Sequence, residues 1–333
     1  MMASWPEAVA GAAAAAFAAA WGAGLWEASR LVTRHLSFTV SSGGLWPVPP
    51  GKEPLLPGEE GHEEGRPAGR VALRVAQLSD LHLHRKPGRA HRLALDALAE
   101  LRPQLAVVTG DLVDGASRPG VAERFGEELA ALARTVVVWG NHDHDRSDLM
   151  GPLREHLEAR GVWVLVNRRV ELVSRGLRLQ LVGVDTPDLR LDRCRQAMER
   201  APVAQARWDD EAGRWVQGTA LSGRDGPEDA GSGPVATARL IAAHTYHVVD
   251  HDEGCTRGAL VLAGDTHGGQ VVLPLLGPVW ARWVHHHRYV EGLHRVGSAW
   301  LYVNRGLGTI GVPVRWRCPP ELTVVDLMVS HAT

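Results

Sequence analysis

Short apolar runs alternate with amphipathic segments along most of the chain. Residues 71–77 and 105–109 are runs rich in valine and leucine, whereas residues 89–101 place leucine and alanine at helical spacing and end before Pro103. A second amphipathic segment over residues 121–134 leads directly into another β-branched run. Strand and helix patterns in alternation predict βαβ units with parallel strands.

The second half of the chain has a less regular pattern. It predicts helices over residues 148–160 and 190–200, a strand over residues 162–166 and a hairpin over residues 170–184. Residues 201–236 are rich in glycine, proline and serine, and this segment is longer than compact domains usually allow in a loop. It is predicted to be a flexible loop insertion, either a mobile flap over a site or a disordered segment.

The N-terminus has an uncharged run over residues 8–26, which at about 1.5 Å per residue just spans a bilayer core of about 30 Å. Its high alanine content leaves three alternatives: a single anchor, an interfacial helix or hairpin, or an export signal or soluble helix. Arg30, Arg34 and His35 follow the run, so the positive-inside rule places the rest of the chain in the cytoplasm, at the inner membrane. The predicted division is an anchor helix over residues 1–36, a Pro/Gly/Glu-rich linker over 37–70 and a catalytic domain over 71–330.

Composition narrows the class of protein. Hydrophobic residues make up 45% of the chain and charged residues 22%, which suffices for a full core. The net charge of -2 makes a nucleic-acid partner an unfavoured hypothesis. Cys194, Cys255 and Cys318 are scattered and form no C-x-x-C pair, so no disulfide framework is expected and a reducing compartment is permitted. The oligomeric state stays open.

Five predicted strand ends carry side chains typical of metal ligands. These residues are Asp80 and His82, Asp111, Asn141 with His142, His244, and Asp265 with His267. Oxygen and imidazole donors without a thiolate suit divalent ions other than structural zinc, and this number of donors suits two ions better than one. The carboxyl ends of strands in an open α/β sheet are also where ligands bind.

The motifs around these residues resemble those of calcineurin-like metallophosphoesterases. They are D-L-H at Asp80, G-D-L-V-D at Gly110, G-N-H-D at Gly140, the lone His244, and G-D-T-H-G-G-Q at Gly264. The chain is most similar to a membrane-associated bacterial group with G-G-Q-V-x-L-P and Y-V-x-R-G-L-G-T, here residues 268–274 and 302–309. The resemblance implies an α/β (α+β) fold, a four-layer sandwich of two mixed β-sheets flanked by helices, to which the N-terminal hydrophobic helix is added.

The same resemblance implies a ligand set and a mechanism. Asp80, His82, Asp111 and His267 would hold one ion, and Asn141 and His244 the other, with Asp111 bridging. A bridging hydroxide would attack phosphorus. His142 would lie over the leaving group and Asp114 would orient it, although an Asp before Gly is also a common turn residue.

Asp265 departs from the family pattern, which has histidine at this position. As a ligand it would favour harder ions, with manganese first and magnesium, iron or zinc as alternatives. The other interpretations are that Asp265 does not touch the ion, or that the second site is weak.

Residues 271–284 combine the leucine pair Leu275 and Leu276 and two tryptophans with Arg282. They predict either ordinary core or an apolar lip beside the site, with Leu275, Leu276, Trp280 and Trp283 turned outward toward a membrane surface. His285, His286 and His287 follow and are left outside the predicted site.

The first functional hypothesis is therefore a hydrolase of a phosphodiester or pyrophosphate bond in a phosphorylated, lipid-linked substrate. Some relatives implied by the resemblance are UDP-diacylglucosamine pyrophosphatases. The alternatives are a phosphodiesterase for soluble or cell-wall substrates, and an inactive metal-binding scaffold.

Overall fold

The computed structural model of the chain describes residues 5–41, 44–48, 70–186, 193–217 and 236–329, and it describes no side chains for residues 5–12 and 283–284. Fifteen strands in this part of the chain form two sheets. The helices are α1 (Trp5–Ala28), α2 (Arg89–Leu101), α3 (Val121–Leu132), α4 (Asn141–Asp145), α5 (Ser147–Ala159), α6 (Cys194–Glu199), α7 (Val248–His251) and α8 (Glu253–Thr256). A 3-10 turn covers His267–Gly269 and a π-helical turn Trp280–Val284.

The first sheet contains strands from both ends of the chain. Its members are β1 (Val32–Ser41), β2 (Gly44–Pro47), β3 (Arg70–Leu78), β4 (Leu105–Thr109), β5 (Arg134–Val138), β6 (Trp163–Val164) and β15 (Glu321–Val329). Their order is β2-β1-β15-β3-β4-β5-β6. The run from β3 to β6 is parallel and follows the predicted βαβ pattern, whereas β15 pairs antiparallel with β3.

The second sheet is also mixed. It contains β7 (Arg168–Ser174), β8 (Leu177–Gly183), β9 (Ala204–Asp209), β10 (Arg214–Gln217), β11 (Ala236–Ala242), β12 (Leu260–Ala263), β13 (Gly292–Val296) and β14 (Ala299–Val303). The order is β10-β9-β7-β8-β11-β12-β14-β13, with β8, β11, β12 and β14 parallel to one another. The predicted hairpin over residues 170–184 is confirmed as β7 and β8.

Side chains that point alternately to the two faces of each strand explain how the layers pack. Leu73 and Val75 on β3 enter the core between the sheets, while Ala76 and Leu78 enter a second core with α2, α3 and α5. This is the two-residue period of a strand buried on both faces. A third core lies between the second sheet and α6 to α8, so helices cover both outer faces. The predicted sandwich of two mixed sheets flanked by helices is confirmed.

The structure differs from the predicted division at the N-terminus. Residues 32–47, assigned to the end of the anchor and to the linker, form β1 and β2, and β1 pairs in parallel with β15. Phe38 and Val40 are fully buried in the core between the sheets, which accounts for the β-branched, alternating character of this segment. Residues 49–69 of the predicted linker lie outside the described residues.

The N-terminal run is helical over Trp5–Ala28. Within the part of the chain that the structure describes, no helix has both the length and the apolar character needed to cross a membrane. The end of α1 contacts the catalytic domain: Gly24 is buried against Val314, and its carbonyl accepts a hydrogen bond of 3.0 Å from the backbone N–H of Arg315.

Two further expectations are corrected. Residues 204–217 of the predicted loop insertion form the antiparallel pair β9 and β10, while 218–235 lie outside the description. Cys194 and Cys255 form a disulfide that joins α6 to α8, so the expectation of no disulfide is wrong. The two cysteines are 61 residues apart, and their approach depends on tertiary packing that their spacing does not reveal.

Candidate metal centre

Five of the predicted ligands have a left-handed backbone. These residues are Asp80 (φ 49), His82 (φ 43), Asp111 (φ 54), Asp265 (φ 74) and His267 (φ 50). Such a conformation costs a non-glycine residue about 1–3 kcal/mol and persists where the surroundings enforce it. The strain concentrates where strands end and the chain turns sharply into the site.

Backbone hydrogen bonds between neighbouring loops enforce these turns. The N–H groups of Asp80 and His82 donate to the carbonyls of Gly110 and Asp111 over 3.1 and 2.9 Å. The backbone N–H of Asp265 donates to both carboxylate oxygens of Asp80, at 3.0 and 3.1 Å. The loops after β3, β4 and β12 therefore hold one another in place.

The first group of ligand atoms comes from Asp80, His82 and His267, which lie within 4.8 Å of one another. The Nε2 atoms of His82 and His267 are 3.1 Å apart, and Asp80 Oδ1 is 3.7 Å from His267 Nε2. Two ring nitrogens about 2.0–2.1 Å from one ion would have a similar spacing, so the pair fits a shared cation.

The second group contains Asp111 and His244. The Nε2 atom of His244 is 3.0 Å from Asn141 Oδ1, 3.4 Å from Asp111 Oδ2 and 3.5 Å from Asp265 Oδ1. The same Oδ2 atom of Asp111 is 3.6 Å from His82 Nε2 in the first group. All seven predicted ligands are thus brought to one place, with Asp111 between the two groups, and the assignment of individual ligands stays a prediction.

Hydrogen bonds select the ring nitrogens that face the centre. His244 Nδ1 is 2.9 Å from the carbonyl of Thr109, which can only accept, so Nδ1 carries a proton and Nε2 is the nitrogen that faces the cluster. His82 Nδ1 is 3.2 Å from Asp114 Oδ2, which orients the ring in the same way. A carboxylate or carbonyl behind an imidazole is the usual support for a metal-binding histidine.

Burial of the cluster disfavours the charged forms of its side chains and shifts their pKa values. Burial and the nearby Asp111 raise the pKa of Asp80, whereas burial, His82 and Arg315 hold the pKa of His267 well below its ordinary value. Burial opposes protonation of His244, yet the carboxylates of Asp111 and Asp80 raise its pKa well above the usual range. Carboxylates and imidazoles packed out of water are a donor set that divalent cations fit, and a bound cation would take the place of the proton on His244.

His142 and Asp114 are placed differently from the prediction. His142 lies at the start of α4, with its backbone N–H 3.0 Å from Asp111 Oδ1 and its Nδ1 3.3 Å from Asp145 Oδ2. Asp114 instead contacts His82 and, at 2.8 Å, His84. Partial burial opposes ionisation of Asp114, but these two hydrogen bonds lower its pKa.

The reason for this difference lies in the turn after β4. The backbone N–H of Ala116 donates to Asp114 Oδ1 over 2.8 Å, and Ser117 Oγ accepts from the N–H of Asp114. The turn directs Oδ2 toward the loop that follows β3. Asp114 therefore supports the predicted ligand His82, and no hydrogen bond from Asp114 to His142 is found in the described part of the chain.

Asp143 is a structural residue of the site to which the sequence pattern gave no role. It is fully buried and accepts hydrogen bonds from the N–H groups of Asp111, Val113 and Gly140, at 2.9, 3.0 and 2.9 Å. Burial and the charge of Asp111 raise its pKa to about 7. Its position in the G-N-H-D motif was the sequence feature that could have pointed to a role in the site.

Arg315 is a second such residue, and no sequence motif pointed to it. Its fully buried guanidinium donates to the carbonyls of Arg305, Gly306 and Gly308 over 2.9, 3.2 and 2.6 Å, and lies 3.4 Å from His267 Nδ1. This loop lies behind Asp80, because a Cβ on Gly306 would be 2.7 Å from the Cβ of Asp80. Arg315 thus shapes the wall of the first ligand group.

Gly140 provides a test of this packing. A Cβ at Gly140 would lie 2.1 Å from Asp111 Oδ1 and 2.6 Å from its backbone nitrogen. We expect Gly140→Ala to destabilise the protein by about 1–3 kcal/mol and to lower metal affinity by about 10-fold or more. Equilibrium dialysis against Mn²⁺ and thermal unfolding would measure both effects.

Gly151→Ala on α5 is the matched control, because a Cβ there has nothing within 4 Å. Equal metal binding by the two variants would contradict the close approach of Gly140 to Asp111.

Comparison with known proteins agrees with this geometry. Residues 73–219 match the family described as calcineurin-like phosphoesterase. The chain is 29% identical over 267 residues to phosphodiesterase YaeI of Escherichia coli K12, covering 77% of this chain and 82% of the relative. It is 26% identical over 281 residues to the uncharacterized metallophosphoesterase YkuE of Bacillus subtilis 168, covering 80% and 82%.

A solved structure, TT1561 of Thermus thermophilus, matches with a TM-score of 0.35 and 12% identity over 71% of this chain and 90% of that one, too distant to support an argument. The clustered ligands, the family match and the two relatives support the calcineurin-like metallophosphoesterase superfamily, and the chain is a metal-dependent phosphoesterase.

Proposed function

We propose that the enzyme hydrolyses a phosphodiester or pyrophosphate bond in a lipid-linked substrate at a membrane surface. A group of exposed apolar side chains next to the ligand groups supports a lipid-linked substrate. UDP-diacylglucosamine is the substrate named by the resemblance of the motifs, and its diacyl chains would require such a surface.

The apolar lip, residues 271–284, follows His267 closely in the chain. Leu275 is fully exposed, and Leu276 and Trp280 are 61% and 63% exposed. The side chain of Trp283 lies outside the described residues. Leucine and tryptophan side chains that project from a loop are typical of surfaces that insert into the headgroup region of a bilayer.

Hydrogen bonds join the lip to two other apolar segments. Gln270 Nε2 donates to the carbonyls of Ile310 and Val312, whose side chains are also exposed. Arg315, on the same loop, bonds to Gly24 of α1, and α1 exposes Phe17. These hydrogen bonds hold the three segments beside one another in the folded chain.

Charge around this surface favours anionic lipids. Residues 266–290 and 305–320 contain no acidic residue, while Arg282, Arg288 and Arg317 are exposed. Arginine side chains beside an apolar surface bind lipid phosphates while their stems cover hydrocarbon. This distribution supports the membrane surface as the partner.

The chemistry requires two divalent ions in the two ligand groups, manganese being our first choice because Asp265 adds an oxygen donor. When bound, such ions supply a water of lowered pKa and neutralise phosphate charge. The carbonyl of Thr109 and the carboxylate of Asp114 hold the Nδ1 sides of His244 and His82, so that their Nε2 atoms point at the centre. His142, which is partly exposed, would donate a proton to the leaving oxygen.

The role of His142 can be tested with a soluble diester such as bis(p-nitrophenyl) phosphate and Mn²⁺. We expect His142→Ala to lower kcat by about 10²–10⁴-fold, the usual contribution of a general acid, with metal content unchanged. His156→Ala is the control, because His156 of α5 pairs with Glu127 of α3, and neither belongs to the ligand groups. Loss of bound metal in the His142 variant, or undiminished turnover, would refute the assigned role.

The lip is tested by the double variant Leu275→Ser and Trp280→Ser. Burial of one large apolar side chain is worth about 1.5–3 kcal/mol, so we expect binding to vesicles with anionic phospholipid to fall at least about 10-fold. Turnover of the soluble diester should not change. Vesicle flotation would measure binding, with the exposed Trp46 on β2 replaced by serine as the control. Equal flotation of the lip variant and the wild type would exclude the lip as the membrane contact.

A second candidate, a phosphodiesterase for soluble or cell-wall diesters, is favoured by the disulfide between Cys194 and Cys255. Disulfides persist mainly in oxidising compartments, outside the bacterial cytoplasm. This location is opposite to the one predicted from the charges after the N-terminal run, and a nucleotide-linked precursor would not be available there.

The redox state in cells separates the two candidates. Cells are quenched with acid, and the denatured chain is labelled with a bulky maleimide. If the enzyme acts outside the cytoplasm, one thiol should react without reductant, that of Cys318, and three after reduction. Three labelled thiols without reductant would favour the cytoplasmic lipid-linked substrate.

A further inference from the structure

His287 lies against the metal centre although its sequence context gave no reason to include it. Its Nε2 atom is 3.9 Å from Asp265 Oδ2, and both side chains are nearly buried, 15% and 16% exposed. His287 follows the π-helical turn Trp280–Val284, where its backbone N–H donates to the carbonyl of Ala281 over 2.9 Å. The last histidine of the H-H-H tract thus turns inward, while His286 is exposed.

Asp265 is the position at which the chain departs from the pattern of its family. Its two carboxylate oxygens face different partners: Oδ1 is 3.5 Å from His244 Nε2, and Oδ2 faces His287. An imidazole at this position would present one nitrogen to an ion in a fixed direction. A carboxylate can rotate and bind in several ways, so it needs an outer partner to fix its orientation.

His287 is itself held firmly. Its ring packs edge-on against Tyr246, with ring centroids 5.9 Å apart, and is stacked with His285 at 5.8 Å. Tyr246 is buried, two residues after His244, and its hydroxyl accepts a hydrogen bond of 3.0 Å from the backbone N–H of Arg288. The segment that carries His287 is therefore tied to the loop that carries His244. Supporting residues of a site act only when their own positions are fixed in this way.

We propose that His287 is a positioning residue for the second metal ion, holding Asp265 through its outer oxygen. The assignment rests on the proposed two-ion function. The histidine that the motif lacks at position 265 is supplied from a segment 22 residues later and acts through the carboxylate. At 3.9 Å the contact is longer than a hydrogen bond, and contacts of this kind commonly tighten when the site is filled.

The experiment measures binding of Mn²⁺ alone to the full, metal-free chain by titration calorimetry, with electron paramagnetic resonance to detect the coupled ion pair. We expect His287→Ala to weaken the second binding event by about 10–100-fold, to leave the first unchanged and to lose the coupled signal. His287→Gln, which keeps a donor, should recover part of the affinity. His286→Ala is the matched control on the exposed neighbour and should bind as the wild type does.

Comparing the effect of His287→Ala in the wild type and in the Asp265→His variant tests whether His287 acts through Asp265. In Asp265→His the ligand no longer needs an outer partner, so adding His287→Ala should have little effect. Equal losses in both backgrounds, or no loss in His287→Ala, would overturn the assignment while leaving the two-ion function intact. A wild-type chain that takes up a single ion would contradict the two-ion function and the assignment with it.

Discussion

The structure depends on one shared carboxylate, that of Asp111. Its Oδ2 atom lies between the imidazoles of His82 and His244, and its Oδ1 atom accepts the backbone N–H of His142. The residue comes directly after β4 of the first sheet, while His244 follows β11 of the second. The hydrogen bond from His244 to Thr109 closes this link, so the separation of the two sheets is fixed where the chemistry requires it. The sandwich thus brings the strand ends of both sheets to one carboxylate.

Without bound ions, this arrangement lowers the stability of the folded protein. Asp80 and Asp111 are buried close together, and several ligands have strained left-handed backbones. Part of the compensation is local: Asp143 accepts three backbone N–H groups around Asp111. Divalent cations that bind only the folded state would add to its stability. Metal affinity and fold stability would then be coupled through the same residues.

Candidate ligands could be chosen from the sequence, whereas the residues that support them could not. Asp80, Asp111 and Asn141 each follow an apolar run, so their position at a strand end could be read directly. The partner of Asp114 could not be predicted from the sequence, because the turn after β4 directs its carboxylate toward His82 instead of His142. His287, Arg315 and the partner of Cys194 likewise depend on contacts between segments far apart in the chain. β1 was missed because its strand pattern adjoins an alanine-rich helix and was absorbed into the predicted anchor and linker.

Arg315 connects the proposed membrane contact to the chemistry. Its backbone N–H bonds to Gly24 at the end of α1, while its guanidinium holds the loop behind Asp80 and approaches His267. A buried arginine is expensive to desolvate, and burial accordingly lowers its pKa. Carbonyl oxygens of Arg305, Gly306 and Gly308 around the guanidinium offset that cost while the loop after β14 keeps its position. The same residue therefore links the end of α1 to the wall of the first ligand group.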